Sequence, residues 1–255
     1  MMIKNLRFQY FSDIHLEFIK PYELEKFLNK IVPKEPLCIL AGDIGNPYSD
    51  NYKSFIKDVH KKFEKIFLIA GNHEYYSHGK SIDETNEYIV SICSKYSNIS
   101  FLNNNYELYE GYNFVGSILW SKIKNTKYEI NDTEFIKDMN ISKYNILNEK
   151  CLAYLESALD KLDNVIVITH HMPSSTLIDS KYKVGSISNY NEWFYCDMDE
   201  FICKNKDKIK CWIYGHTHTP SEKLIENVNC ICNPIGYPNE NSRIDLEKVW
   251  VGKVL

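Results

Sequence analysis

Five short polar motifs lie along the chain, and each directly follows a run of apolar residues. The motifs are Asp13-Ile14-His15, Gly42-Asp43, Gly71-Asn72-His73-Glu74, His170-His171 and Gly215-His216-Thr217-His218. Short apolar runs that end at a polar turn are typical of buried strands in an α/β sheet. Ligands of such sheets bind at the carboxyl ends of the strands, where the loops converge. We therefore expect the five motifs to meet at one edge of the fold.

The segments between the first motifs predict alternating strands and helices. Strands are predicted over residues 6–11, 37–41 and 66–70, and helices over residues 22–31 and 52–63 between them. This β-α-β-α-β order favours neighbouring, mostly parallel strands.

The C-terminal half continues the pattern. Strands predicted over residues 165–169 and 210–214 bring the last two motifs to the same edge. Residues 223–233 and 246–254 also have strand-like composition. We expect both of these segments to complete a second sheet.

The middle of the chain carries no second catalytic signature. Helices are predicted over residues 82–95 and 142–162, with short strands near residues 99–102 and 112–119. Residues 122–140 are polar and only weakly periodic, which predicts a long surface loop or lid.

Length and charge limit the classes of function. At 255 residues and 30.0 kDa, residues 1–255 fit a single domain, with a lid or cap-like insertion within 75–164. A net charge of -4 and a pI near 6.1 argue against an extended nucleic-acid surface. The absence of an apolar run near the ~20 residues that span a bilayer predicts a cytoplasmic protein without a membrane partner. No oligomeric state is predicted.

The eight cysteines are expected to be reduced. They have no paired CxxC spacing, and several lie within apolar, strand-like runs. A disulfide framework or a zinc knuckle would call for a different spacing.

The residue types in the five motifs are those of a two-metal phosphoesterase. Two divalent ions about 3.5–4 Å apart can bind a phosphate ester, activate water and neutralise developing charge, and they need a bridging carboxylate. A mixture of carboxylate, amide and imidazole ligands favours Mn²⁺, Fe or Zn²⁺ over Mg²⁺ or Ca²⁺. A D-x-H or Gly-Asp motif alone is common by chance, Gly-Asn-His-Glu and Gly-His-Thr-His are more specific, and the ordered set of five is a strong signal.

The order D-x-H, G-D, G-N-H-[DE], H and G-H-x-H resembles that of the calcineurin-like metallophosphoesterase superfamily. The resemblance runs from Asp13 to His218. It implies an α/β fold in which two packed mixed β-sheets are flanked by helices, a four-layer αββα sandwich. It also implies a hydrolase of phosphoric ester bonds that uses two divalent ions and a metal-bound hydroxide.

The resemblance further implies seven metal ligands in two sets that share a bridging Asp43. One set adds Asp13, His15 and His218, and the other set adds Asn72, His170 and His216.

The same resemblance places His73 against the substrate, where it would stabilise the transition state or protonate the leaving oxygen. Glu74 would orient His73 or its loop. His171 is either a substrate-facing or supporting residue or an ordinary loop histidine. His78 is a candidate substrate contact because it follows the tyrosine pair Tyr75-Tyr76, which either stacks on substrate or packs in the core.

The favoured substrate is a small nucleotide-like phosphodiester. An alternative is a phosphomonoesterase that acts on a protein or a small molecule. The arginine-containing motifs of protein Ser/Thr phosphatases are missing, because Gly42-Asp43 continues as Ile44-Gly45. A different class remains open, a catalytically silent metal-binding interaction module, although a scaffold would not need a leaving-group acid.

Overall fold

The computed structural model describes residues 6–76, 79–125, 127–240 and 245–252. Two mixed β-sheets pack against each other, and helices cover their outer faces. The layers therefore run helix, sheet, sheet, helix, which confirms the expected four-layer sandwich.

The strands lie close to their predicted positions. They are β1 Arg7–Phe11, β2 Leu37–Ala41, β3 Lys65–Ile69, β4 Ile99–Phe101, β5 Asn105–Tyr109, β6 Tyr112–Gly116, β7 Val165–Ile168, β8 Ile209–Tyr214, β9 Ser221–Ile225, β10 Val228–Cys232 and β11 Val249–Val251.

The first sheet has the order β11-β1-β2-β3-β4, and the second has the order β5-β6-β7-β8-β10-β9. Strands β1 to β4 are parallel, as are β6, β7, β8 and β10. Strands β5, β9 and β11 pair antiparallel at the sheet edges. The parallel strands thus point their carboxyl ends in a common direction within each sheet.

The helices connect these strands. They are α1 Pro21–Lys30, α2 Asp50–Val59, α3 Ile82–Cys93, α4 Asn131–Phe135, α5 Ile141–Lys161 and α6 Asp199–Asn205, with 3-10 helices at Leu16–Phe18, His73–Tyr75, Ser175–Leu177, Ser180–Tyr182 and Ser186–Trp193.

Side-chain caps define where several helices begin. Ser81 and Glu84 form a reciprocal capping box at α3, and the Ser49 hydroxyl accepts the Tyr52 backbone N–H at α2. The prediction over residues 52–63 therefore began too late, because the capping serine precedes the first apolar residue of the helix.

The strands are apolar on both faces because each sheet is covered on both sides. Along β2, Ile39 joins the core between the sheets, whereas Cys38 and Leu40 join the core under the helices. Phe67 of β3 stacks on Phe114 of β6 at 4.3 Å between ring centroids, which joins the two sheets.

The last strand corrects one prediction. Strands β9 and β10 do belong to the second sheet, but β11 pairs with β1 in the first sheet, where Arg7 lies opposite Val251. Trp250 stacks on Phe8 at 4.9 Å, so packing with a distant segment selects the sheet. A short apolar run does not by itself indicate its partner strand.

Residues 122–140 contain no strand in their described part and only one short helix, α4. All eight cysteines are free thiols, and seven are buried. Among the described helices, none has the length and apolar character needed to cross a membrane.

Candidate metal centre

The structure brings all seven predicted ligands together at the carboxyl ends of the central strands. Asp13 and His15 follow β1, Asp43 follows β2 and Asn72 follows β3. His170 follows β7, and His216 and His218 follow β8. Potential ligand atoms form three groups whose members lie within 4.8 Å of one another: Asp13, His15 and His218; His15, Asp43 and His73; and Asp43, His170 and His216.

Four of these residues have left-handed backbone conformations that non-glycine residues rarely adopt. The φ angles are 53° at Asp13, 53° at His15, 52° at Asp43 and 64° at His216. Each such conformation costs roughly 1–3 kcal/mol and persists where the surrounding structure enforces it. The concentration of strained residues at one place points to a functional site.

Two glycines allow the loops to approach this closely. A Cβ atom on Gly42 would lie 2.6 Å from His170 Nδ1, and one on Gly71 would lie 2.6 Å from His170 Nε2. Both distances are too short for real contacts, so the Gly-Asp and Gly-Asn spacing of the motifs has a steric reason.

The first ligand group contains two histidines whose Nε2 atoms face each other. The Nε2 atoms of His15 and His218 are 3.0 Å apart, and His218 Nε2 lies 3.7 Å from Asp13 Oδ1. On the far side of each ring, Nδ1 contacts a carboxylate: Glu17 at 3.0 Å for His15, and Glu240 for His218. These carboxylates fix the rings with Nε2 directed at the centre, as is common for metal-binding histidines.

The group of Asp43, His170 and His216 contains a buried nitrogen atom without a hydrogen-bond partner among the described residues. His216 Nε2 has no hydrogen-bond partner among the described residues, although it is fully buried. His170 Nδ1 lies 2.9 Å from the Ala41 carbonyl, so its Nε2 faces Asn72 Oδ1 at 3.2 Å. Burial of an unpaired polar atom is costly, and a bound cation would satisfy it.

Asp43 lies between His15 and His170. Its Oδ2 is 3.2 Å from His170 Nε2 and 3.8 Å from His15 Nε2, and its Oδ1 accepts the His73 backbone N–H at 2.8 Å. Burial opposes ionisation, but the charges of His170 and His73 hold the pKa of Asp43 well below its usual range. An ionised carboxylate between the imidazole rings of His15 and His170 fits a pair of divalent ions.

His73 has an environment that favours its protonated form. Its Nδ1 is 2.9 Å from Glu17 Oε1, its ring stacks on Tyr76 at 4.3 Å, and its Nε2 is 3.4 Å from the Tyr237 hydroxyl. Burial lowers the pKa of His73, but Asp43 and Glu17 outweigh it and raise the pKa to about 9. Sequence reasoning missed Glu17, whose only signal is its position two residues after His15.

Glu74 holds together the loops that follow β2 and β3. Its carboxylate accepts backbone N–H groups from Gly71 at 2.7 Å, Asp43 at 3.0 Å, Ile44 at 2.7 Å and Gly45 at 3.3 Å. These bonds hold the Gly-Asp loop against the Gly-Asn loop. The His73 ring contacts Glu17, Tyr76 and Tyr237, whereas Glu74 acts on the backbone of the loops.

His171 packs behind the centre. It is fully buried, its Nε2 lies 2.9 Å from the Tyr144 hydroxyl, and its ring centroid is 4.3 Å from that of His216. Burial and the neighbouring His170 lower the pKa of His171 to about 3, so the ring is neutral. The predicted substrate contact His78 lies outside the described residues.

A pocket of about 550 Å³ opens beside the candidate ligands. Its aromatic lining is formed by Tyr76, Tyr182, Tyr190, Phe194 and Tyr237. Part of the 122–140 segment also lines it, through residues 129–132. Tyr75 and Trp120, by contrast, are buried in the core.

The Glu17–His73 pair predicts a pH dependence for the metal-free protein. A pKa raised from 6.5 to about 9 means that the protonated ring stabilises the fold fully below pH 6.5. This contribution is lost as the pH rises through 9. We expect Glu17→Gln to lower the pKa of His73 in an NMR titration of the imidazole signals. An unchanged pKa would contradict the pairing.

Comparisons with known proteins agree with this geometry. The family model for calcineurin-like phosphoesterases matches residues 6–220. An uncharacterised protein of Acanthamoeba polyphaga mimivirus is 32% identical in an alignment of 266 positions, including gaps, that covers 93% of each chain.

Solved structures share the fold at low sequence identity. Phosphopantetheinyl hydrolase from Mycobacterium tuberculosis superposes with a TM-score of 0.72 and 15% identity, over 91% of this chain and 90% of the other. TT1561 of Thermus thermophilus superposes with a TM-score of 0.60 and 13% identity, over 98% and 99% of the two chains. The family match, which covers most of the chain, shows that this protein belongs to the calcineurin-like phosphoesterases and is a metallophosphoesterase, a hydrolase of phosphoric ester bonds.

Proposed function

We propose that this protein hydrolyses a small, nucleotide-like phosphodiester at a dinuclear metal centre. The observation that carries the proposal is the position of Asp43, whose Oδ2 lies 3.8 Å from His15 Nε2 in one proposed ligand set and 3.2 Å from His170 Nε2 in the other. A shared carboxylate between two ligand sets is what a two-metal site requires.

In this proposal, Asp43 is shared by both ions. Asp13, His15 and His218 complete one ligand set, and Asn72, His170 and His216 complete the other. When bound, the ions supply Lewis acidity and lower the pKa of coordinated water. The mixture of oxygen and nitrogen donors favours Mn²⁺, Fe or Zn²⁺.

His73 is the proposed proton donor to the leaving oxygen. It lines the pocket, and Glu17, Tyr76 and Tyr237 hold its ring in place. Glu17 and Asp43 favour the protonated ring that a proton donor needs. Bound cations would lower this pKa toward neutrality, because they neutralise Asp43 and repel the imidazolium.

The pocket supports a small substrate with an aromatic or apolar group. Its volume of about 550 Å³ lies within the range typical of small-molecule sites. Tyrosine and phenylalanine rings in its walls can stack on a base or an aryl group. We infer that residues 1–255 form one domain in which the 122–140 segment acts as the lid of this pocket.

Metal-dependent turnover of model esters tests the proposal. Metal-stripped protein reconstituted with Mn²⁺ is expected to hydrolyse bis-p-nitrophenyl phosphate faster than p-nitrophenyl phosphate. His60→Ala provides a matched control, because His60 stacks on Tyr96 at the distant end of α2. Faster monoester hydrolysis would favour the phosphatase alternative. Two bound ions without turnover of either ester would leave an enzyme that is specific for another ester, or the interaction module.

A further inference from the structure

Asp132 is a buried carboxylic acid that belongs to none of the five motifs. It lies in α4, within the 122–140 segment, and its exposed fraction is 0%. A buried carboxyl group is costly unless hydrogen bonds or charges compensate for the lost hydration. Its partners therefore indicate what the side chain does.

Three side chains donate hydrogen bonds to this carboxyl group. Asn72 Nδ2 lies 2.8 Å from Oδ1, the Tyr76 hydroxyl lies 2.6 Å from Oδ1, and the Tyr144 hydroxyl lies 3.2 Å from Oδ2. All three partners come from other parts of the chain. Asp132 thus connects the 122–140 segment to the loop after β3 and to helix α5.

The bond to Asn72 decides which end of its amide faces the centre. An amide has two donor hydrogens on nitrogen and an acceptor on oxygen. Because Asn72 Nδ2 donates to Asp132, Oδ1 is directed the other way and lies 3.2 Å from His170 Nε2. A reversed amide would set its oxygen against the Asp132 carboxyl oxygen and leave a non-ligating NH₂ group at the centre.

The hydrogen bonds from Tyr76 and Tyr144 to Asp132 support other residues of the site. Tyr76 stacks on His73 at 4.3 Å, so its bond to Asp132 fixes the ring beside the proposed proton donor. The Tyr144 hydroxyl also contacts His171, whose ring packs on His216.

We propose that Asp132 is a positioning residue that directs the Asn72 amide oxygen toward the metal centre and holds the 122–140 segment against that centre. The proposal rests on the two-metal function proposed above. It concerns the one ion that Asn72 would bind. Loss of a supporting residue of this kind typically weakens metal binding by roughly 10–100-fold.

The test is a Mn²⁺ titration of metal-stripped protein without substrate. EPR and metal analysis measure the affinity of each ion. In Asp132→Ala, one of the two ions is expected to bind roughly 10–100-fold more weakly, while the other keeps its affinity. Asp132→Asn retains an acceptor oxygen for Asn72 and should lose less. Glu134→Gln, at an exposed residue of the same helix, should match the wild type.

A double-mutant cycle separates positioning from a general structural role. If Asp132 acts through Asn72, then Asp132→Ala combined with Asn72→Ala should bind the affected ion no more weakly than Asn72→Ala alone. Unchanged affinity for both ions in folded Asp132→Ala, or additive losses in the double variant, would overturn the proposal. If Asp132→Ala does not fold, the same criteria apply to Asp132→Leu, which also removes the acceptor for Asn72 but fills the buried space. Failure of the two-metal function itself would be visible in the wild type, as binding of fewer than two ions.

Discussion

Asp43→Asn is expected to lose metal at both positions and to lower diester hydrolysis by at least about a thousandfold. In the proposed mechanism the ions would provide several kcal/mol of transition-state stabilisation, and each 1.36 kcal/mol changes the rate about tenfold. Asparagine has the same shape as aspartate but lacks its charge, and Asp43 Oδ2 lies near histidines of both ligand groups. Metal analysis after gel filtration, together with Mn²⁺-dependent turnover, measures both effects.

His218→Ala provides the comparison for Asp43→Asn. His218 belongs to only one group of candidate ligand atoms, so its loss should chiefly empty one position. Asp160→Asn, an exposed aspartate in α5, serves as the control for the charge change. Full occupancy of both positions in Asp43→Asn would contradict the shared-ligand assignment.

His73→Ala is expected to lower kcat by roughly 10²–10⁴-fold while both ions remain bound, since proton transfer by a side chain contributes about that much. The loss should be larger for a diester with an alkyl leaving group than for one with a p-nitrophenyl leaving group. A p-nitrophenolate departs without much need for a proton, whereas an alkoxide requires one.

Steady-state rates on the two diesters, with metal content measured in the same samples, check this prediction. His60→Ala again controls for the loss of an imidazole group. An equal loss on both leaving groups would assign His73 to charge stabilisation instead of proton donation. Loss of bound metal in His73→Ala would instead make His73 a ligand, which its place in a group with His15 and Asp43 permits geometrically.

Much of the fold was predictable because most strands are short, continuous apolar runs that can be identified from the local sequence. Strand β2 was predicted within its observed bounds, because a strand covered on both faces reads as a continuous apolar run. The positions of the polar motifs at the carboxyl ends of the strands could then be predicted as well. The assignment of β11 to the second sheet was wrong, because its pairing with β1 depends on a contact such as Trp250 with Phe8.

Two of the supporting residues around the candidate ligands were not predictable from the sequence. Glu17 and Asp132 are ordinary acidic residues in their local context, and only the fold brings them to His73 and Asn72. Tyr237 follows β10, beyond the last motif, and its ring centroid lies 4.5 Å from that of His15. The motifs identify the candidate ligands because these residues directly follow strands. The residues that contact the ligands are brought there by long-range packing, which the motifs do not indicate.

The most direct test of the dinuclear centre is the EPR spectrum of protein loaded stepwise with Mn²⁺. Two ions that share the Asp43 carboxylate should be magnetically coupled, so we expect binding to saturate at two ions per chain with an exchange-coupled signal. Asp43→Asn should abolish that signal. Saturation at one ion, or two ions with only the resolved hyperfine spectrum of isolated Mn²⁺, would contradict a centre bridged by Asp43.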